Sequence, residues 1–125
     1  MSDEAQQMDY LVEYDTFVTT FKKTQVSGEE VGEMIVRMVN HYCSLNLRLA
    51  DALRRYSDVI RAFQESVDER TGKPMTSSKA EAMSAATPEA ELYNRMKAHV
   101  QNAEQIVNGL KSLQKGVLNE YAQAI

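Results

Sequence analysis

Apolar and aromatic side chains recur along the middle of the chain in alternating steps of four and three residues. The positions are Val31, Ile35, Met38, Tyr42, Leu45, Leu49, Ala52, Tyr56, Val59 and Phe63. Steps of four and three give a 3.5-residue repeat, which is typical of a helix that buries one face against another helix. The pattern predicts a helix of roughly 50 Å whose apolar stripe must be covered by a second helix.

A second seam with the same period follows in the C-terminal third of the chain. Its positions are Leu92, Met96, His99, Ala103, Ile106, Leu110, Leu113, Val117, Glu120 and Ala124. When Ile35 and Met96 are labelled as heptad a positions, both helices are apolar at a, d and mostly e. That face is wider than the seam of a simple dimeric zipper. The sequence therefore predicts an antiparallel hairpin of two long helices, with apolar flanks left for a further partner.

Short capping motifs place the ends of the predicted helices. Ser27 to Glu30 fits a capping box, and Thr87 followed by Pro88 is a second start signal. Gly72 and Pro74 are expected to stop the first long helix, because glycine favours a left-handed C-cap and proline cannot continue a helix. A further capping box, at 78–81, predicts a short helix in the connection.

The sequence as a whole predicts one all-α domain, 1–125, assembled into an oligomeric bundle. Tyr10, Tyr14, Phe17 and Phe21 form a short stripe of their own near the N-terminus. The predicted elements are a short helix over about 4–25, a long helix over 28–69, a connection with a short helix over 70–87 and a long helix over 88–123.

Charge is distributed unevenly along the chain. The net charge is −4, and residues 1–28, 29–70 and 71–125 contribute −3, −2 and +1. This acidic start and slightly basic end do not form the clustered basic footprint of a typical nucleic-acid-binding domain. Cys43 is the only cysteine, which favours a reducing compartment. The N-terminus lacks a signal-peptide pattern and no apolar run is long enough to span a membrane, so a cytoplasmic protein without membrane contact is expected.

The sequence contains few residues that suggest chemistry. His41 and His99 fall at a g and a d position of different helices, without the spacing of a metal site. His99 is expected to face Tyr56 as a hydrogen-bonded core histidine, with a pH switch as the alternative. Cys43 is expected to pack beside the seam. No catalytic or cofactor-binding motif is present, so no enzyme, metal or cofactor is expected.

Basic residues on the first long helix allow two interpretations. Three acidic residues, Asp51, Asp58 and Glu65, recur every seven positions between these basic residues. This spacing favours a ladder of exposed ion pairs. The alternative is a stripe that tracks a phosphate backbone. The arginines concerned are Arg37, Arg48, Arg54, Arg55 and Arg61.

Two further patterns suggest helix–helix contacts. Gly109 and Gly116 both fall at g positions, and we expect a packing or interface groove there rather than random drift. The seams themselves are the expected helix–helix or oligomer interface. That interface comprises Ile35, Met38, Tyr42, Leu45, Leu49, Tyr56, Val59, Phe63, Leu92, Met96, Ile106, Leu110, Leu113 and Val117.

Three segments carry a resemblance to a known class of proteins: residues 76–82 (TSSKAEA), 87–93 (TPEAELY) and 110–115 (LKSLQK). With the Gly-Lys-Pro break between two long helices, the chain resembles the small helical-hairpin proteins that phages encode beside recombination and replication genes. The resemblance implies an oligomeric helical protein, as in phage mediators that load a recombinase onto single-stranded DNA. The net acidity departs from what such a DNA-binding mediator suggests.

These patterns favour a non-catalytic interaction or assembly protein. We expect it to bind itself as a homo-oligomer and to bind another protein as an adaptor or phage-derived accessory factor. The alternative is a nucleic-acid-handling accessory, such as a recombination mediator, that contacts single-stranded DNA through the arginine stripe.

Overall fold

The computed structural model describes residues 9–23 and 25–124, and the side chains of 9–21 and 25–119. Within these ranges the regular elements are α1 (Asp9–Lys23), α2 (Gly28–Gln64), α3 (Ser77–Ser84) and α4 (Pro88–Ala124). The two long helices pack against each other, and the prediction of an all-α fold is confirmed for the described residues. The predicted N-terminal helix is present from Asp9; its residues 4–8 and 24 lie outside the described ranges.

The chain divides into two compact units. Unit 1 comprises Met1–Leu45 and His99–Ile125, and unit 2 comprises Asn46–Ala98. Helices α2 and α4 each contribute a segment to both units. Helix α1 belongs to unit 1, and α3 belongs to unit 2.

Side-chain caps set the starts of the two long helices. The Glu30 amide donates a hydrogen bond to Ser27 Oγ over 3.1 Å at the start of α2. The Ala90 amide donates to Thr87 Oγ1 over 3.3 Å at the start of α4. These caps satisfy amides that have no partner within the helix. Both starts are confirmed at the residues that the sequence predicted.

Helix α2 ends at Gln64, so the prediction that it continues to residue 69 was wrong. The Asp68 amide donates to the Lys73 carbonyl over 2.8 Å, and the Met75 amide donates to the Ser66 carbonyl over 3.1 Å. Gly72 adopts a φ of 69°, where other residues are strained. A small hairpin between Ser66 and Met75 thus satisfies the backbone groups that a longer helix would have used. Gly72 closes this turn instead of capping α2.

The short connecting helix begins earlier than predicted. Thr76, not Ser78, is the N-cap of α3, and its side chain accepts a hydrogen bond from the Lys79 amide over 3.3 Å. The helix ends at Ser84, where the Ser84 hydroxyl donates to the Ala80 carbonyl over 2.6 Å. Ser84 and Ala80 are both fully buried, so α3 packs through its small residues.

The core of unit 1 is built from α1, α2 and α4. On α2 the d positions Val31, Met38 and Leu45 are at most 3% exposed. On α4 the buried residues of this unit are at a and e, namely Ala103, Leu110, Val100 and Val107. Tyr10 of α1 completes this core. In unit 2, Ala52 of α2, Ala80 of α3, and Ala90 and Met96 of α4 are buried in the same way.

The seams lie inside the fold, as their period predicted, but the e positions of the two helices differ. Val100 and Val107 on α4 are buried, whereas Val39 and Leu53 on α2 are 36% and 45% exposed. The exposed Val39 and Leu53 match the apolar flank that the sequence leaves beside the seam of α2, whereas the expected flank of α4 is buried at Val100 and Val107. Gly32, Asn46 and Ile60, the other e positions of α2, are half-buried.

Candidate interaction surface

Helix α2 exposes apolar side chains outside its seam in both units. In unit 1 Val36 is 60% exposed, Val39 is 36% exposed, and the Cys43 thiol is free and exposed. The expectation that Cys43 packs beside the seam was wrong. In unit 2 the most exposed large apolar side chain of α2 is Leu47, which is 75% exposed. We call Val36, Val39, Cys43 and Leu47 the outer strip of α2.

The spacing within the outer strip is helical. At 100° per residue, Val36, Cys43 and Leu47 lie within about 40° of one azimuth on a regular helix. Ala50, which is also exposed, falls on the same side of α2. Single exposed apolar residues are common on proteins, but a row along one helix indicates a surface that another apolar surface can cover. A signal for this strip was present in the sequence, as a second apolar period beside the stronger seam.

Charged side chains on the second half of α2 pair with each other. Arg54 lies 2.8 Å from Asp51 and 3.8 Å from Asp58, and Arg55 lies 3.0 Å from Asp51. Arg61 lies 3.9 Å from Asp58. All these side chains are 45–67% exposed, so each pair contributes little to stability. The neighbouring guanidinium holds the pKa of Asp51 below its usual value, chiefly through the Arg54 hydrogen bond.

The predicted arginine stripe is thus divided by the structure. Arg54, Arg55 and Arg61 are engaged in the ion-pair ladder of unit 2. Arg48 is half-buried in the same unit, and Arg37 is exposed in unit 1. The ladder interpretation describes the three paired arginines, while binding of a phosphate backbone stays a prediction.

A polar junction inside unit 1 joins α1 to α2 and α4. The Tyr10 hydroxyl lies 2.8 Å from His99 Nδ1, and the two rings meet edge to face. His41 Nε2 lies 3.2 Å from Glu13 Oε2. The expected partner of His99 was wrong: its partner is Tyr10, and Tyr56 packs beside Tyr93 in unit 2 with ring centroids 5.6 Å apart. The Tyr56–Tyr93 pair places the midpoint of the α2–α4 pairing near residue 74 or 75, whereas the expected pair of Tyr56 with His99 would place it near 77 or 78.

The seam residues predicted as an interface are covered within the chain itself. Met38, Leu45, Met96 and Leu110 are at most 3% exposed. The remaining ones are half-buried: Ile35, Tyr42, Leu49, Tyr56, Val59, Phe63, Leu92, Ile106, Leu113 and Val117. These positions are partly covered within the chain, and the most exposed apolar side chains of α2 lie outside the seam.

Glycines on the two long helices have different surroundings. A Cβ added at Gly32 would lie 2.9 Å from Gln114 Nε2, which itself donates to the Gly28 carbonyl over 3.1 Å. Gly32 thus makes room for a side chain that crosses from α4 to α2. Apart from the chain neighbours and the nearby backbone of α4, no atom of the described residues lies within 4 Å of a Cβ added at Gly109 or Gly116. The predicted groove at these two glycines is not filled by any described residue.

Comparisons with known proteins identify no similar protein. No protein-family model matches the chain, and no curated protein or solved structure is significantly similar to it. Over the described residues, no helix combines the length and apolar character needed to cross a membrane. No cluster of three or more His, Cys, Asp or Glu side chains in the same ranges is placed to hold a metal ion.

Proposed function

We propose that the protein is a helical interaction protein that associates with a second copy of itself through the outer strip of α2. The observation that supports this function is the exposure of Val36, Cys43 and Leu47 on one side of α2, outside a seam whose residues are buried or half-buried. Removing apolar area from water contributes about 25 cal/mol per Å², so covering such a row favours association. In this proposal the protein acts by binding, as an adaptor or assembly factor.

Charge along α2 favours a second copy in antiparallel orientation. The start of α2 carries Glu29, Glu30 and Glu33 without a basic residue, whereas the segment 51–61 has a net charge of +1. A parallel pair would place acidic starts together, and an antiparallel pair places each acidic start opposite the arginines of the other chain. Such complementarity sets orientation more than affinity. In an antiparallel pair centred on Cys43, Val36 lies opposite Ala50, and Val39 opposite Leu47.

Self-association can be tested at a single exposed position. We expect sedimentation equilibrium to show a dimer of the wild-type chain at micromolar concentration and a monomer for Leu47→Glu. Val12→Glu is the matched control, because Val12 is 66% exposed but lies on α1. Both variants should keep the wild-type circular dichroism, since neither side chain is buried. A monomeric wild type, or equal loss of association in both variants, would refute the proposal.

Orientation can be tested by disulfide trapping on a Cys43→Ser background. Val36→Cys and Ala50→Cys chains are oxidised mildly, first separately and then mixed. An antiparallel dimer centred on Cys43 forms the cross-link on mixing, because the two thiols then face each other. Cross-linking within each separate sample would instead indicate a parallel pair. It would refute the antiparallel arrangement while leaving self-association intact.

The nucleic-acid alternative stays a prediction, as does the resemblance to phage helical-hairpin proteins. The ion pairs of Arg54, Arg55 and Arg61 with aspartates reduce the positive field that phosphate binding requires. The described structure therefore offers no observation that favours this alternative over self-association.

A further inference from the structure

Helix α1 contains few of the residues that favour a helix. Its 15 residues include no alanine, and most of them are β-branched or aromatic. Such residues lose side-chain freedom in a helix, and a helix of this length is marginal in isolation. They are Tyr10, Val12, Tyr14, Thr16, Phe17, Val18, Thr19, Thr20 and Phe21. Contacts with the rest of unit 1 must therefore hold α1 in its helical form.

Threonine hydroxyls of α1 bond to the backbone of the same helix. Thr16 Oγ1 donates to the Val12 carbonyl over 2.9 Å, and Thr19 Oγ1 donates to the Asp15 carbonyl over 2.9 Å. Bonds of this kind slightly destabilise a helix. Both threonine side chains are exposed, so neither bond connects α1 to the rest of unit 1.

One buried side chain attaches α1 to α2 and α4. Among the side chains of α1 that the structure describes, only Tyr10 is buried, with 1% exposed. Its hydroxyl lies 2.8 Å from His99 Nδ1 and also forms a hydrogen bond with the Asn102 side chain. Its ring meets the His99 ring edge to face, and its centroid lies 6.3 Å from that of His41. The closest contacts of α1 are thus concentrated in its first turn.

We propose that α1 is a strap that detaches from unit 1 while the paired segments of α2 and α4 stay folded. Helix α1 has low propensity and one buried anchor, whereas α2 and α4 bury Met38 and Ala103 completely. Segments with few buried contacts open at a lower free energy than the core does. Opening uncovers the surface of α2 and α4 around His41 and His99. Val26, between α1 and α2, is 3% exposed and holds the connection in place as the strap opens.

The strap and the outer strip use different sides of α2. Cys43 of the outer strip follows His41 by two residues, which places it about 200° further around the helix. Detachment of α1 therefore does not depend on the proposed self-association. A partner that covers the outer strip at Cys43 does not have to displace α1.

Amide hydrogen exchange of the full chain, at a concentration where it is monomeric, measures the opening of each helix separately. We expect the α1 amides of the wild type to be less protected than those of Met38 and Ala103 by about tenfold or more. Tyr10→Phe should lower the protection of α1 by about two- to tenfold, because a hydrogen bond is lost whichever group donates it. Tyr14→Phe is the matched control on the same helix, and it should leave the protection of α1 unchanged because Tyr14 is only half-buried.

Paired alanine substitutions separate opening of α1 from unfolding of unit 1. Thr16→Ala with Thr19→Ala raises helix propensity on the exposed side of α1. Asn40→Ala with Ser44→Ala does the same on the exposed side of α2. The α1 pair should raise the protection of α1 by about three- to tenfold. The α2 pair should raise the protection of Met38 by a similar factor and leave that of α1 unchanged, because α1 opens without unfolding of α2.

Two outcomes would overturn the proposal. The first is equal protection of α1 and of Met38 and Ala103 in the wild type. The second is an equal rise in the protection of α1 in both alanine pairs, because α1 would then open only when the whole of unit 1 unfolds. Unchanged protection of α1 in Tyr10→Phe would refute the role of the Tyr10 hydroxyl as the anchor of the strap.

Discussion

Replacement of Gly109 by alanine should stabilise the protein. Gly109 lies in the interior of α4 and is exposed. Apart from its chain neighbours and the nearby backbone of α4, no described atom lies within 4 Å of the position that a Cβ would take. Glycine in a helix interior is less favourable than alanine by about 0.8–1 kcal/mol, largely because the unfolded chain is more flexible. Since the new methyl group meets nothing, the full gain of about 1 kcal/mol should appear in the free energy of unfolding. That corresponds to a melting temperature higher by about 3–6 °C.

Gly32 provides the matched control on α2. Its helical setting offers a similar gain, but the added Cβ would lie 2.9 Å from Gln114 Nε2. The amide would have to move and give up its 3.1 Å hydrogen bond to the Gly28 carbonyl. A hydrogen bond of this kind contributes about 0.5–1.5 kcal/mol, which offsets the helical gain. We therefore expect Gly32→Ala to change the free energy of unfolding by less than about 0.5 kcal/mol.

Urea denaturation followed by circular dichroism, at several protein concentrations, separates these cases. Gly109→Ala should have a higher midpoint than the wild type with an unchanged slope, and Gly32→Ala should not. Equal stabilisation in both variants would contradict the close approach of Gln114. Destabilisation of Gly109→Ala that grows with protein concentration would place another chain on this face, which is the interface groove that the glycine spacing predicts.

Two further changes test the charged residues. Replacing Arg48 and Arg55 with glutamine should change the free energy of unfolding by less than about 1 kcal/mol. Fluorescence anisotropy should show little binding of a single-stranded oligonucleotide by the wild type. Submicromolar, salt-sensitive binding by the wild type would instead support the nucleic-acid alternative. The pKa of Asp68 is lowered, chiefly by the hydrogen bond from Lys79 Nζ at 2.7 Å. The ionised Asp68 therefore contributes to stability at neutral pH, and this contribution is lost as the pH falls through the lowered pKa. Asp68→Asn should therefore lower the melting temperature at pH 7 and reduce its decrease toward pH 3, and an unchanged acid dependence would show that this pair does not stabilise the loop.

The sequence by itself determined the helices and most of their starts. A 3.5-residue apolar period is a local property, because residues three and four apart always share a helix face. The caps at Ser27 and Thr87 are also local, since each hydroxyl accepts from an amide three residues away. Both features were visible without a tertiary structure, and the structure confirms them.

The end of α2 depended on contacts that the local pattern does not contain. Helix propensity alone would allow residues 65–69 to continue α2. The hairpin between Ser66 and Met75 instead pairs backbone groups of this segment with residues across the turn. The Asp68 side chain accepts further hydrogen bonds from the Arg70 amide and from Lys79 Nζ. The Lys79 bond and the hairpin bonds join residues on both sides of the turn, so they compete with the helix only when the chain has folded back.

Only the tertiary structure decided which residues meet at the candidate sites. The partner of His99 is Tyr10, 89 residues away in sequence, because α1 packs over α2 and α4 in unit 1. The heptad register fixed which face of each helix is apolar, but not the rotation of that face toward its partner. The observed rotation buries Val100 and Val107 in the e row of α4 and leaves Val39 and Leu53 in the e row of α2 exposed, together with Val36 and Leu47. Helix rotation and docking are set by side-chain packing between distant segments, which a periodic pattern along one segment does not specify.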